Sequence, residues 1–188
     1  MSAPGGFRAA IFDLDGTLLD SMYVWHRVDE LFFEDLGMAV PPDYTAAIAG
    51  MSYRETALYT KKRFSLAEPW EEIVATWTRM AEREYRENVH LKPGAEDYLR
   101  ALKARGVRLA VATAMPPALF RPCLEANGVD GLFEALLSTE DAGGRGKRTG
   151  KVYRLAAERL GVEPRECVVF EDVFEGVEGA CRAGMRAI

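Results

Sequence analysis

Two aspartates, separated by one residue, stand at the end of a short apolar run. Asp13 and Asp15 follow the segment Ala9–Phe12, and the next residue is a glycine, as expected where a buried strand enters a turn. Neighbouring carboxylates repel each other, so a fold that places them together needs a bound cation or a shared proton. This pair of acids is the strongest chemical signal in the chain.

Other polar residues follow later apolar runs in the same way. In an open parallel sheet, functional groups gather beyond the carboxyl ends of the strands. Those ends carry a hydroxyl, an ammonium group and two further acids: Thr113, Lys147 in the loop after the third run, Glu171 and Asp172. Carboxylates and backbone carbonyls select hard cations such as Mg²⁺, and no Cys or His is placed to favour a softer metal. The sequence therefore predicts a magnesium site at this edge.

The second half of the chain alternates helical and strand patterns. Four helical patterns, at about 93–102, 117–127, 152–160 and 174–183, each end at a glycine followed by Val or Met, which is typical of a left-handed helix C-cap. Apolar runs at 107–112, 135–137 and 167–170 lie between them. This alternation predicts an α/β fold, a Rossmann-like parallel sheet with helices on both faces.

The strand before Asp13 belongs to the same sheet, so the predicted core is split in sequence into residues 1–17 and 90–188. Residues 18–89 show no strand signal and place apolar residues at helical spacing, which predicts an inserted all-helical domain. Trp70 and Trp77 are seven residues apart and are expected on one helix face in its core. The last residues, 186–188, stand where another strand should begin, so either the sheet ends there or a C-terminal strand and helix lie outside this chain.

Composition restricts the class of protein. The chain has 188 residues, 48% of them apolar, and a net charge of −5, which argues against a nucleic-acid surface. No apolar run reaches transmembrane length and no signal peptide is evident, so we expect a cytoplasmic protein with no membrane partner. The acidic sequence without an evident apolar patch favours a monomer. Three scattered cysteines are expected to be reduced thiols: Cys123, Cys167 and Cys181.

Four segments together resemble the motifs of a known family. FDLDGTLLD at 12–20, VAT at 111–113, a lysine before a helix, and FED at 170–172 are similar to the four motifs of haloacid dehalogenase-superfamily phosphatases. The helical insertion resembles the C1 cap of the phosphoglycolate phosphatase and β-phosphoglucomutase branch. This resemblance covers nearly the whole chain and implies a Mg²⁺-dependent phosphatase that hydrolyses a small phosphorylated metabolite, such as a sugar phosphate.

The resemblance also implies roles for individual residues. Asp13 would attack phosphorus to form an aspartyl phosphate. Asp15 would protonate the leaving oxygen and then take a proton from the hydrolytic water. Mg²⁺ would be held by Asp13, the backbone carbonyl of Asp15 and Asp172, with Glu171 close by. Phosphoryl oxygens would be held at three further positions: Thr113, Ala114 and Lys147.

The lysine of the third motif has two candidates. The family pattern places a proline three residues after the lysine, whereas here that position is Gly150, which predicts a loosened loop. Counting back from the aromatic residue Tyr153 favours Lys147 over Lys151 as the phosphate lysine.

Segment 50–55 resembles the cap loop that meets the substrate in this branch. In that role Arg54 would contact a distal phosphate or carboxylate. The same residues also fit a helix start, with Ser52 as N-cap and Glu55 three residues later in a capping box. The two interpretations are compatible.

Two other activities and one non-catalytic role are alternatives to the phosphatase. A phosphosugar mutase would use the same aspartyl phosphate, but mutase relatives carry a His early in the cap, where this chain has Trp25. A dehalogenase would lack the second acid that Asp15 supplies. A non-catalytic metabolite-binding module is not excluded by anything in the sequence, although the intact set of acids favours an enzyme.

Overall fold

The computed structural model describes residues 6–49 and 51–188, and the chain forms two compact units. The first, the sheet unit, contains the described residues up to Met22 and Arg86–Ile188. The second, the helical unit, is Tyr23–Tyr85. Residues 18–22 and 86–89 thus belong to the sheet unit, although the sequence pattern grouped them with the insertion.

The sheet unit is built on five parallel strands. They are β1 (Ala9–Phe12), β2 (Arg108–Thr113), β3 (Ala135–Ser138), β4 (Cys167–Phe170) and β5 (Arg186–Ala187). Their order across the sheet is β3-β2-β1-β4-β5, which places β1 at the centre. In β1, Ile11 lies opposite Ala110 on one side and Val169 on the other. The predicted α/β fold with a parallel sheet is confirmed.

The chain has eight α-helices among the described residues. The helical unit contains α1 (Val24–Asp35), α2 (Tyr44–Ile48), α3 (Tyr53–Phe64) and most of α4 (Trp70–Glu87). The sheet unit contains α5 (Ala95–Ala104), α6 (Pro117–Ala126), α7 (Lys151–Leu160) and α8 (Phe174–Arg182). Helices α5 to α8 confirm the four helical patterns of the sequence.

The predicted C-caps are also confirmed. The glycine after each of α5 to α8 has a positive φ: Gly106, Gly128, Gly161 and Gly184. After α5, the N–H of Val107 donates to the carbonyl of Leu102 at 3.0 Å, the long backbone hydrogen bond that defines this type of helix end. Each helix therefore stops where the chain must turn back toward the sheet.

Alternating side chains along β1 pack against helices on opposite faces of the sheet. Ile11 is fully buried in a cluster with Val152 and Ala156 of α7. Phe12 points to the other face, where its ring contacts Tyr98 of α5 at a centroid distance of 6.4 Å. All four residues of β1 are buried, which explains its apolar composition.

Strand β5 is short, but it is paired. It runs parallel to β4, and beyond its last residue the N–H of Ile188 donates to Val169 at 2.9 Å, while Glu171 donates to Ile188 at 3.0 Å. The residues at 186–188 therefore do begin a strand, as the sequence pattern indicated.

An aromatic core holds the helical unit together. Phe33 of α1 packs edge-on against Tyr44 of α2 and Phe64 of α3, with ring centroids 4.8 and 5.0 Å away. Trp77 of α4 packs against Phe32 at 5.5 Å and is buried, as predicted. Trp70 is only half-buried, because it lies at the first turn of α4.

Two observations bear on the cellular expectations. None of the helices in the described part of the chain is both apolar enough and long enough to cross a membrane. All three cysteines are free thiols. Burial raises the pKa of Cys123 to about 12 and that of Cys167 to about 11, so both stay protonated at neutral pH.

Candidate active site

Three acids meet where the adjacent strands β1 and β4 end. Phe12 and Phe170 are register partners, so Asp13 and the pair Glu171–Asp172 leave the sheet side by side. The N–H of Asp13 donates to the carbonyl of Phe170 at 3.0 Å, which extends the ladder to the site. Carboxylate oxygens of Asp13, Glu171 and Asp172 all lie within 4.8 Å of one another. We call these three residues the acidic cluster.

Lys147 lies against this cluster. Its Nζ is 2.5 Å from Oδ1 of Asp13 and 2.5 Å from Oε1 of Glu171, and all three side chains are nearly buried. Lys151, the other candidate for the third motif, is exposed at the first residue of α7. Of the two lysines, the structure therefore brings only Lys147 to the acids.

The segment that carries Lys147 has local structure of its own. Lys147–Thr149 forms a turn of 3-10 helix, which Gly150 ends with a φ of 71°. This turn packs on α8, and the contact is close because Gly179 has no side chain. The effect of Gly150 on the looseness of this segment stays a prediction, and the contact with α8 is a feature that Gly150 alone does not indicate.

Burial dominates the electrostatics of Asp13. Burial raises the pKa of Asp13 to about 6, and the charge of Glu171 adds to this rise, while the ammonium of Lys147 lowers it. One ammonium group thus compensates only part of the negative charge of three carboxylates. Any further cation at the cluster would favour the ionised form of Asp13.

Glu171 has one partnered and one unpartnered oxygen. Oε1 accepts hydrogen bonds from Lys147 and from the Tyr153 hydroxyl, the latter at 2.6 Å. Burial and the charge of Glu171 raise the pKa of Tyr153, so its hydroxyl remains a donor. Oε2 is buried and has no hydrogen-bond partner among the described residues. A buried carboxylate oxygen without a donor is costly, and a cation would satisfy it.

The acidic cluster has the features of a metal-binding site. The donors are hard carboxylate oxygens from two neighbouring strand ends, they converge within ligand distance of one another, and one of them lacks a partner. This donor set suits a divalent cation of the Mg²⁺ type. The acidic cluster can therefore hold such an ion.

Asp15 lies in the turn after β1 and is half-buried. The Ser21 hydroxyl donates to its Oδ1 at 2.6 Å, and Ser21 itself is buried. The Thr17 hydroxyl makes a longer contact, 3.4 Å, with Oδ1 of Asp172. Sequence reasoning missed both hydroxyl residues, although each follows the aspartate pair within the same short segment.

Thr113 and Ala114 lie at the end of β2, which borders β1. Thr113 is buried, and its hydroxyl accepts a hydrogen bond from the Met115 N–H at 3.1 Å, so it orders the turn that follows. Ala114 is exposed. A phosphate-binding role for these two residues remains a prediction.

Arg54 belongs to the helical unit, and residue 50 of its segment lies outside the described residues. Its guanidinium carbon is 5.3 Å from the ring centroid of Trp70. The capping box before it is confirmed, since the Glu55 N–H donates to the Ser52 hydroxyl and Glu55 Oε2 accepts from the Ser52 N–H at 2.8 Å. Recognition of a distal anion by Arg54 remains a prediction.

The chain is similar to a known protein family over nearly its whole length. Residues 7–184 match the family model described as haloacid dehalogenase-like hydrolase. The chain belongs to this family. The match covers both strand ends that form the acidic cluster as well as the helical unit, so the resemblance inferred from four short motifs is confirmed.

Individual relatives are similar over most of their length. Hexitol phosphatase A of Escherichia coli (strain K12) is 32% identical over 185 residues, covering 96% of this chain and 82% of the relative. The phosphorylated carbohydrates phosphatase of Thermotoga maritima is 28% identical over 181 residues, covering 96% and 83%. Among solved structures, a T. maritima protein with a provisional β-phosphoglucomutase name superposes with a TM-score of 0.87 at 28% identity, covering 96% of this chain and 83% of that one.

Proposed function

We propose that this chain is a Mg²⁺-dependent phosphatase that hydrolyses a small phosphorylated metabolite, a sugar phosphate or similar compound, through an aspartyl-phosphate intermediate. The observation that carries the proposal is the convergence of Lys147 with the acidic cluster in one nearly buried site. Phosphoryl transfer depends on positioning and on compensation of negative charge, and this site supplies both.

The reaction class rests on the family and its relatives. The chain is a phosphoric monoester hydrolase, because the hydrolase family covers nearly all of it and the relatives carry phosphatase names. Those names refer to hexitols and to phosphorylated carbohydrates, which supports a polyhydroxylated substrate for this chain also.

The proposed chemistry has two steps, both performed by residues of the turn after β1. In the first, a carboxylate oxygen of Asp13 forms a bond to phosphorus while the ester P–O bond breaks, and Asp15 gives its proton to the departing oxygen. In the second, Asp15 takes a proton from a water molecule that attacks phosphorus, and the Asp13–phosphate bond breaks. Inorganic phosphate leaves, and both acids return to their starting states.

Lys147 and Thr113 have supporting roles in this scheme. Lys147 compensates charge on Asp13 in the free enzyme and on the phosphoryl oxygens during transfer. Thr113 and the exposed backbone at Ala114 would donate hydrogen bonds to those oxygens. The first role is supported by the 2.5 Å contact with Asp13, and the second by the position of both residues at the end of the strand that borders β1.

Mg²⁺ would be held by Asp13, Asp172 and the backbone carbonyl of Asp15, with Glu171 beside them. When bound, the ion would compensate charge on the phosphate and keep Asp13 ionised. The unpartnered Oε2 of Glu171 supports this assignment. Calorimetric titration of Mg²⁺ into the protein without substrate should show one site, which Asp172→Asn weakens.

The alternative function is a phosphosugar mutase. It is supported by the β-phosphoglucomutase name of the structural relative from T. maritima. The residue aligned with the mutase histidine is Trp25, which has no group to move a proton between sugar hydroxyls. Conversion between hexose 1- and 6-phosphates would favour the mutase, whereas release of inorganic phosphate without isomerisation favours the phosphatase.

The decisive experiment compares Asp13→Asn with a matched control, Asp20→Asn, at an exposed aspartate of the same segment. Hydrolysis of an aryl phosphate is measured with Mg²⁺ and with EDTA, and folding is followed by circular dichroism. Asp13→Asn should remain folded and lose turnover, and Asp20→Asn should keep it. Retained turnover in folded Asp13→Asn would remove Asp13 as the nucleophile.

A further inference from the structure

The helical unit contains a cavity of its own, of about 380 Å³. Residues from all four helices of the unit line it, including Asp29 of α1, Ile48 of α2, Tyr53 of α3 and Trp77 of α4. All the described lining residues belong to the helical unit and none to the acidic cluster. The volume lies within the range of small-molecule sites, roughly 300–1,000 Å³.

Asp29 is an unusual residue to find in such a cavity. It is partly buried, and it has no hydrogen bond or ion pair with any described residue. The imidazole of His26, one turn earlier in α1, contacts Glu30 at 3.4 Å instead, so its effect on Asp29 is only to lower the pKa that burial raises. The nearby Tyr44 hydroxyl is already bonded to Thr60 at 2.7 Å. The Asp29 carboxyl thus faces a cavity without a compensating partner.

Burial raises the pKa of Asp29 to about 6, which still leaves the group ionised at neutral pH. An ionised, partly buried carboxylate without a partner destabilises the folded protein relative to a neutral side chain. Residues that lower stability without a structural benefit are a common sign of function. The partner that would offset this loss is a positive charge.

The other walls of the cavity also favour a positive charge. Trp25 and Tyr53 lie next to each other, with ring centroids 5.4 Å apart and planes inclined by 57°, and Trp77 forms a buried wall. The faces of aromatic rings carry negative electrostatic potential and attract ammonium groups. No lysine or arginine is among the described lining residues, and the guanidinium of Arg54 lies over Trp70 instead.

We propose that the cavity of the helical unit binds a small organic cation, an ammonium group carried on a short carbon skeleton. Asp29 supplies the opposite charge, and the rings of Trp25, Tyr53 and Trp77 surround the apolar part of the ligand. This inference goes beyond the proposed function and does not depend on it, because none of these residues takes part in the proposed phosphoryl transfer.

The ammonium group could belong to either of two sources. One is a free amine that binds the helical unit by itself, and the other is the amine-bearing alcohol portion of a phosphate ester. The recognition chemistry is the same in both cases, since the cavity binds the cation and not the phosphate. Binding is therefore measured first, with unphosphorylated probes.

The experiment compares choline with 3,3-dimethylbutan-1-ol, its uncharged isostere, on the full chain by calorimetry and tryptophan fluorescence. Choline should bind saturably, and the isostere should bind at least about tenfold more weakly, as expected when a charged pairing is lost. Asp29→Asn should weaken choline binding by a similar factor, and Asp35→Asn, at an exposed position of the same helix, should not. Equal affinity for the isostere, no choline binding, or an unaffected Asp29→Asn variant would overturn the proposal.

Two further measurements complete the test. Trp25→Leu should also weaken choline binding, and thermal unfolding of each variant guards against misfolding as the explanation. Binding is repeated in the Asp13→Asn background, so that a failure of the catalytic proposal cannot affect the result. Hydrolysis of phosphocholine with competitive inhibition by choline assigns the cation to the substrate, and choline binding without competition assigns it to a free amine; either supports the cation site.

Discussion

The backbone oxygen of Lys147 lies so close to Gly179 that a β-carbon on residue 179 would come within 2.0 Å of it. Helix α8 thereby supports the 3-10 turn that directs the lysine toward Asp13 and Glu171. A second glycine of the same helix, Gly176, leaves room for the Glu171 carboxylate, which a β-carbon would approach within 2.2 Å. The positions of Lys147 and Glu171 in the site therefore require glycine at residues 179 and 176 of α8.

Gly179→Ala should therefore displace the turn that carries Lys147. We expect a loss of unfolding free energy of about 1–3 kcal/mol, typical of overpacking, and a lower phosphatase kcat. Gly131→Ala is the matched control, because a β-carbon there meets open space; it should change stability by less than about 0.5 kcal/mol. Urea unfolding measures both, and equal stabilities for the two variants would contradict the packing argument.

Replacement of Lys147 by methionine should leave two buried carboxylates without their cation. Removing one member of a buried ion pair typically lowers stability by about 3 kcal/mol or more. Lys147 lowers the pKa of Asp13, so that pKa should rise above 6 in the variant and the destabilisation should be greatest at pH values above it. Lys151→Met, at the exposed candidate, should have almost no effect. Similar losses in both variants at pH 8 would show that Lys147 is not the buried partner.

Asp29→Asn should stabilise the protein in a pH-dependent way. The folded-state pKa of Asp29 is raised from 3.8 to about 6, so ionisation opposes folding. This penalty is complete above pH 6, shrinks as pH falls, and is absent below about pH 4, where the group is protonated in both states. Allowing for the partial exposure of the group, the gain at pH 7.5 should be ~1 kcal/mol. Thermal unfolding at pH 4 and 7.5 checks it; a variant that is less stable at pH 7.5 would refute it.

Tyr153→Phe tests the hydroxyl that donates to Glu171. The ring of Tyr153, a residue of α7, packs in the core and should stay there, while Oε1 of Glu171 loses one of its two donors. We expect a loss of about 1–2 kcal/mol in stability. Tyr98→Phe is a suitable control, because Tyr98 is partly exposed and contributes ring contacts. If both variants unfold at the same urea concentration as the parent, the hydroxyl does not support Glu171.

Local signals explain why much of the sheet unit could be predicted. A strand of buried residues must be apolar, so Ala9–Phe12 stands out, and the first polar residue after it, Asp13, lies at the sheet edge. The glycine after each helix is needed for a positive φ that other residues adopt at a cost, as at Gly106. Such features depend on a few neighbouring residues and are visible in a single sequence.

Features that depend on distant contacts could not be predicted. The close packing of the turn at Lys147–Thr149 on α8 requires Gly179, more than thirty residues later, which no local pattern indicates. The donors on Asp15 and Glu171, Ser21 and Tyr153, follow from how turns and helices pack. The same holds for Asp29, since only the folded helical unit reveals that its carboxyl lacks a partner.

The central position of β1 has a consequence for synthesis on the ribosome. Of the five strands this one is synthesised first, yet its neighbours on both sides, β2 and β4, are synthesised only after the entire helical unit. While the helical unit is being synthesised, the apolar residues of β1 lack the neighbouring strands with which they pair in the folded protein. Nascent chains arrested before β2 should therefore bind chaperones through this segment, and release should coincide with emergence of β2.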